Sequence, residues 1–282
     1  MARRIRTRTL LLSFAALLLA AFAVSAVDAF LYEPTAFVAT RVTFTSSRLP
    51  ESWVDRKVVL FSDSHFGGGL RPADVMKAVA EMQAEKPDLV LFLGDAVDGF
   101  TPDDPEFLDA IGTALASIEA PLGKFAVLGN HDAQSETHRQ AFETIMHRAG
   151  FEILENRSVE IDGLVLGGLA EAYSSRPNAA QTFLSAPDGA FRILMAHQPK
   201  AGMSAEVLAE APDLVFSGHT HGGQFTFFGT PFPFIATMNG GFAYGRYEVG
   251  GTTLFVTRGI GTWGPRARFF CRPEFVVATL DR

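Results

Sequence analysis

Val58-Val59-Leu60-Phe61-Ser62-Asp63-Ser64-His65 places an unbroken apolar run directly before an Asp-x-His pair. Such a run, without alternation, suits a short strand buried on both faces of a sheet. The construction recurs along the chain. Residues 89–93 lead into Gly94-Asp95, and residues 125–128 lead into Gly129-Asn130-His131-Asp132. Residues 191–196 end at His197-Gln198-Pro199, and residues 214–217 lead into Gly218-His219-Thr220-His221-Gly222-Gly223-Gln224. Five of the seven histidines stand in these motifs. Open α/β sheets bind ligands beyond the carboxyl ends of their strands, and Asp, Asn and His gathered there have the donor chemistry of a metal site.

Between the apolar runs lie helical stretches at 72–84, with Pro72 at the start, at about 105–118, and at about 135–149, closed by Gly150. Strands alternating with helices predict a parallel sheet covered on both faces. The second half is richer in strands: 151–154, 159–161 and 164–169 with a turn at Asp162-Gly163, then 191–196 and 214–217. A hairpin at 242–249 and 252–257 turns at Gly250-Gly251, and 275–280 closes the chain. The expectation is two packed sheets with helices outside. Residues 1–29 read as a membrane anchor or signal, 30–56 as a linker with a first strand, and 57–282 as one domain.

Composition narrows the function. The 282 residues carry a net charge of −7, which speaks against a nucleic-acid backbone as the main partner. A single cysteine, Cys271, excludes an internal disulfide framework and a cysteine-based zinc site. At the N-terminus Arg3, Arg4, Arg6 and Arg8 precede a run from Leu10 to Val27 whose only polar residues are Ser13 and Ser25. As a helix such a run spans about 27 Å, close to a hydrocarbon core of roughly 30 Å. An uncleaved anchor is favoured over a cleaved signal or a buried core helix. The arginines keep their end in the cytoplasm, which puts the remainder on the periplasmic or extracytoplasmic side of a bacterial inner membrane.

Each motif alone has an ordinary reading as a polar turn; together they do not. Asp63 and His65 alternate, as do His219 and His221. Asp95 has two carboxylate oxygens and could bridge two ions, and ions about 3.5–4 Å apart clamp a phosphoryl group and activate a water. Asn130 offers a neutral amide oxygen. His131 beside it is free to protonate a leaving oxygen, with Asp132 orienting the ring. Asp98 reads as a supporting residue or a cap, and His138 and His147 read as helix surface.

The ordered set D-x-H, G-D, G-N-H, H, G-H-x-H resembles the signature of the calcineurin-like metallophosphoesterase superfamily from about Val58 to the C-terminus. Glu33-Pro34, the Gly-His-Thr-His-Gly-Gly-Gln stretch, residues 257–261 and Arg272-Pro273-Glu274 are similar to its membrane-anchored YaeI-like bacterial branch. Ser64 inside Asp-x-His and Asp132 after Gly-Asn-His are less usual. The resemblance implies a four-layer α/β/β/α sandwich with two divalent ions, Mn, Zn or Fe. One would be held by Asp63, His65, Asp95 and His221, the other by Asp95, Asn130, His197 and His219, with His131 assisting the leaving group. It implies a phosphoester substrate. For some members of the branch this is UDP-2,3-diacylglucosamine in lipid A synthesis; for others the activity is a general phosphodiesterase.

Phe225–Phe228 and Pro231-Phe232-Pro233-Phe234-Ile235 lie close to the His219 loop. They read either as core packing or as an apolar wall for acyl chains or membrane. Arg246, Arg258, Arg266 and Arg268 fall in or near glycine-rich loops, where solvated surface is the default and a phosphate contact the alternative. The non-hydrolytic alternative is a phosphoesterase-fold scaffold, which would be expected to lack ligands that this chain has.

Overall fold

The computed structural model describes residues 2–282, with side chains from Thr9 onward; the side chains of the arginine cluster lie outside the described residues. Helix α1 (Ala2–Val27) runs through a π turn (Asp28–Tyr32) and a 3-10 turn (Glu33–Thr35) into strand β1 (Val38–Thr45). Then come β2 (Lys57–Phe61), α2 (Pro72–Ala84), β3 (Leu89–Phe92), α3 (Pro105–Ala116), β4 (Lys124–Ala126) and α4 (Glu136–Ala149). The second half holds β5 (Glu152–Ile153), β6 (Arg157–Ile161), β7 (Leu164–Gly168), α5 (Ala179–Thr182), β8 (Phe191–Met195), α6 (Pro199–Gly202), α7 (Ala205–Ala209) and β9 (Leu214–Ser217). A small hairpin β10 (Thr226–Phe227) and β11 (Thr230–Pro231), then α8 (Pro233–Met238), precede β12 (Gly245–Val249), β13 (Thr252–Val256) and β14 (Glu274–Asp281).

The strands form two six-stranded sheets, ordered β1-β14-β2-β3-β4-β5 and β12-β13-β9-β8-β7-β6. The long helices begin and end on local signals. Asp104 accepts the Glu106 N–H ahead of α3, Ser135 accepts the His138 N–H ahead of α4, and Gly150 ends α4 in the left-handed region at φ 78°. Each apolar run is divided between two cores by the period-2 geometry of a strand. From β2, Val59 and Phe61 pack beneath α2–α4, while Val58 and Leu60 join Ile193, Met195 and Phe216 between the sheets. A third cluster, including Val165, Leu194 and Val215, lies under the short helices of the second sheet. The chain is therefore an α/β/β/α sandwich of four layers.

One expectation needs correction. The first sheet is mixed, not all-parallel: β14 pairs parallel with β1 and antiparallel with β2. The strand that closes the chain inserts between them and satisfies both edges, so β1 is paired along its whole length. The 18-residue apolar window of α1 is 0% buried, in keeping with the disfavouring of a core helix.

Candidate metal centre

The loops after β2, β3, β4, β8 and β9 converge where the two sheets meet. Cross-loop hydrogen bonds set their spacing: Asp63 N–H donates to the Gly94 carbonyl at 2.9 Å, His65 N–H to the Asp95 carbonyl at 3.1 Å, and Gly218 N–H to the His197 carbonyl at 3.0 Å. The loops are tight. A Cβ on Gly129 would lie 2.1 Å from Asp95 Oδ1, and one on Gly218 would lie 2.5 Å from Ser62 Oγ.

Asp63, His65 and His221 bring one ligand atom each to a first cluster, and Asp95, His197 and His219 to a second; within each, the atoms lie inside 4.8 Å of one another. Five of these six residues, Asp63, His65, Asp95, His219 and His221, have φ between 46° and 71°. That left-handed region costs a non-glycine residue roughly 1–3 kcal/mol. It is held here by the surrounding core and aims successive side chains inward.

His65 Nε2 and His221 Nε2 are 3.2 Å apart, and His221 Nε2 is 3.6 Å from Asp63 Oδ1. Asp95 Oδ2 stands between the clusters, 3.9 Å from His65 Nε2 and 3.1 Å from His197 Nε2. Metal–nitrogen bonds of 2.0–2.1 Å put neighbouring ligand atoms roughly 3–3.5 Å apart, and most of these separations fall in or near that range. His197 Nδ1 donates to the Leu93 carbonyl at 2.7 Å, so in the neutral ring the lone pair is on Nε2. That atom is buried without a hydrogen bond, as are Asn130 Oδ1 and His221 Nδ1. Buried polar atoms are rarely left unpaired. Mixed carboxylate and imidazole donors with orphaned lone pairs fit divalent metal ions. Behind the cluster, Asp98 Oδ2 faces His65 Nδ1 at 3.1 Å but off hydrogen-bond alignment. An acid behind a ligand histidine fixes its ring and tautomer.

Burial alone would raise the Asp95 carboxyl, but His197, His65 and His131 together hold it far below the usual carboxylate range. Burial alone would lower His197, yet Asp95 and Asp63 push it up to about 10. Burial, reinforced by His197, lowers His219 to about 4, and burial with His65 and Arg268 holds His221 well below its ordinary value. Neutral rings at His219 and His221 keep a lone pair for a cation.

His131 lies at the rim, half-buried, its ring 5.2 Å from that of His65 and 5.9 Å from that of Trp263. Its N–H donates to Asp95 Oδ1 at 2.9 Å, and its carbonyl accepts from His138 Nδ1 at 3.0 Å. His138 is thus a support behind His131, not plain helix surface. Asp132, expected to orient the His131 ring, instead accepts four backbone N–H groups, from Asp95, Ala96, Val97 and Gly129, at 2.7–3.0 Å. It ties the Asp95 loop to the Asn130 loop. Burial and the Asp95 charge raise its pKa to about 7 against the pull of those donors.

Arg268 is neither solvated nor a phosphate contact. It is fully buried and donates to the carbonyls of His221, Arg258, Gly259, Gly261 and Cys271. Arg258 is held by Glu274 at 2.6 Å, Arg266 by Asp74 at 2.9 Å, and exposed Arg246 by Glu248 at 2.8 Å. Residues with no assigned role in the sequence also reach the site. Tyr173 Oη lies 3.3 Å from His219 Nε2, and buried Glu171 accepts the Tyr173 N–H at 2.7 Å and binds Gln198 at 2.5 Å. Glu171 follows the apolar end of β7 as the ligands follow their strands, which was a usable signal. A cavity of about 420 Å³ opens beside the cluster, lined by His219, His221, Phe234, Ile235, Met238 and Trp263 among others.

Similarity to known proteins agrees with this geometry. The chain is 31% identical over 257 residues to the uncharacterized metallophosphoesterase YkuE of Bacillus subtilis, covering 88% of this chain and 87% of that one. It is 29% identical to an uncharacterized metallophosphoesterase of Campylobacter jejuni, covering 82% of this chain and 61% of the relative's length. It is 25% identical to the UDP-2,3-diacylglucosamine pyrophosphatase LpxG of Chlamydia muridarum, covering 87% of this chain and 89% of LpxG, a relative that fits the YaeI-like branch. The sequence model for calcineurin-like phosphoesterases matches residues 56–223. That match takes in every candidate ligand residue and more than half of the chain, so the protein belongs to the calcineurin-like phosphoesterase family and is a metal-dependent phosphoester hydrolase.

Proposed function

We propose that the protein hydrolyses a phosphodiester or pyrophosphate bond in a lipid-linked substrate, at a dinuclear centre held near a membrane by the N-terminal helix. Asp63, His65, Asp95 and His221 would hold one ion, and Asp95, Asn130, His197 and His219 the other, with Asp95 shared. The observation that carries the lipid reading is the cavity of about 420 Å³, whose wall joins Phe234, Ile235 and Met238 to His219 and His221. Helix α1 with the turns after it, Thr9–Thr35, is long and apolar enough to cross a bilayer. The LpxG relative, whose name specifies a diacylated nucleotide-sugar pyrophosphate, supports the same substrate class.

Bound divalent ions supply Lewis acidity and an activated water. The chain supplies the rest. The Leu93 carbonyl orients the His197 ring, and the Asp98 carboxylate stands 3.1 Å behind His65 Nδ1. Asp95 fixes the His131 backbone, leaving a ring nitrogen of His131 free to deliver a proton to the departing oxygen. Trp263 and Phe234 contribute aromatic surface to the wall of the cavity beside His219 and His221.

The test is hydrolysis by the full chain in detergent, loaded with Mn. Substrates are a chromogenic phosphodiester and a diacylated nucleotide-sugar pyrophosphate. Turnover of the lipid should exceed that of the chromogenic ester, and His131→Ala should lower kcat by about 10²–10⁴-fold with little change in bound metal. Equal turnover of both substrates would favour a general phosphodiesterase. No turnover of either, with metal bound, would overturn the lipid-phosphodiester reading.

A further inference from the structure

The exit of the apolar helix is fastened to the catalytic domain. The Ala29 carbonyl accepts the Arg268 N–H at 2.9 Å, and buried Glu33 accepts the Phe270 N–H at 3.0 Å together with the Cys271 N–H. The same 268–271 segment carries the hairpin β10–β11. Thr226 N–H donates to the Phe269 carbonyl at 3.0 Å, the Thr226 hydroxyl to the Phe270 carbonyl at 2.8 Å, and the Phe228 ring lies 4.8 Å from that of Phe270. A continuous hydrogen-bonded path therefore runs from the helix exit to the hairpin.

The hairpin and α8 turn their large side chains outward. Phe227 and Phe228 are 68% and 71% exposed, and Phe234 and Met238 are 58% and 72% exposed. Residues 222–245 contain no charged side chain. Outward aromatics without a charge among them form the kind of apolar patch that marks an interaction surface.

We infer that this face, β10–β11 with α8, seats in the headgroup–acyl boundary of the leaflet that the apolar helix leaves through. The inference rests on the anchoring proposed above. The occupant is lipid because the face is continuous with the helix exit, and because an uncharged aromatic surface suits a depth of roughly 5–10 Å at that boundary. Phe234 and Met238 belong both to this face and to the cavity wall beside His219 and His221. The cavity mouth then opens at the lipid surface, and a lipid substrate enters without crossing water.

The two tryptophans permit a direct test, since Trp53 is 0% exposed and Trp263 is 55% exposed. The full chain, with Trp263→Phe and Phe228→Trp, is reconstituted into phosphatidylcholine vesicles with and without bromine on the upper acyl carbons. A reporter seated roughly 5–10 Å below the headgroups should lose about half of its emission to bromine. Trp263→Phe alone, reporting Trp53, should lose almost none. Protein that floats with the vesicles while the Phe228→Trp signal is unquenched keeps the anchor and overturns the surface. A blue-shifted, unquenched signal that grows with the protein-to-lipid ratio assigns the face to a second copy and also overturns it. Protein that does not float with the vesicles overturns the anchoring, and the surface with it.

Discussion

Both oxygens of Asp132 are taken up by backbone N–H groups, which makes it a staple between two ligand loops. Asp132→Asn puts an amide N–H₂ against backbone donors and leaves buried groups unpaired. Each such group costs about 1–3 kcal/mol, so the variant should unfold at lower denaturant and bind metal more weakly. A loss of kcat with unchanged unfolding would instead return Asp132 to the His131 ring. From sequence, the Asp beside the histidine was visible but its partners were not, because three of the four donors lie in a different loop. The left-handed backbone at Asp63, His65, Asp95, His219 and His221 was equally hidden. Asp and His tolerate that region better than most residues, but only the packed loops require it. Tyr173 and Trp263 reach the site although the sequence assigned neither a role.

At the scale of elements, the strands of the two large sheets and helices α2, α3 and α4 were legible within a few residues, whereas the short helices α5 to α8 were not read. The apolar runs are long enough to mark strands, and Pro72 and Gly150 punctuate helices α2 and α4. The small hairpin β10–β11 was not legible as strands, since each consists of two residues. The C-terminal loops 257–271 have almost no regular structure, and Arg268 holds them through five carbonyls. Removing that guanidinium leaves several buried acceptors without donors. Arg268→Met should therefore cost more than about 3 kcal/mol and loosen the His221 loop, read as a lower unfolding midpoint and weaker metal retention. A midpoint within experimental error of the parent would show that water or neighbouring donors replace the arginine.

For the molecule as a whole, two sheets of six strands bring several acidic groups and four imidazoles into one buried seam. Cations neutralise part of that charge, so they stabilise the folded chain by mass action. At a metal concentration about 100-fold above Kd the gain is about 2.7 kcal/mol, or about 5–10 °C for a domain of this size. Chelation should lower the melting temperature by that amount and added Mn should restore it; a melting curve indifferent to chelator would sink the metal centre. The sequence by itself determined the alternation of buried strands with helices, the donor set at the strand ends and the apolar N-terminal helix, because each is written in local runs and spacings. The tertiary structure alone decided that β14 divides β1 from β2, that Arg268 is buried on carbonyls, that Asp132 braces two loops, and that the phenylalanines of β10–β11 and α8 face outward. Those outcomes depend on which distant segments satisfy one another's backbone groups and exclude water, and no local pattern carries that information.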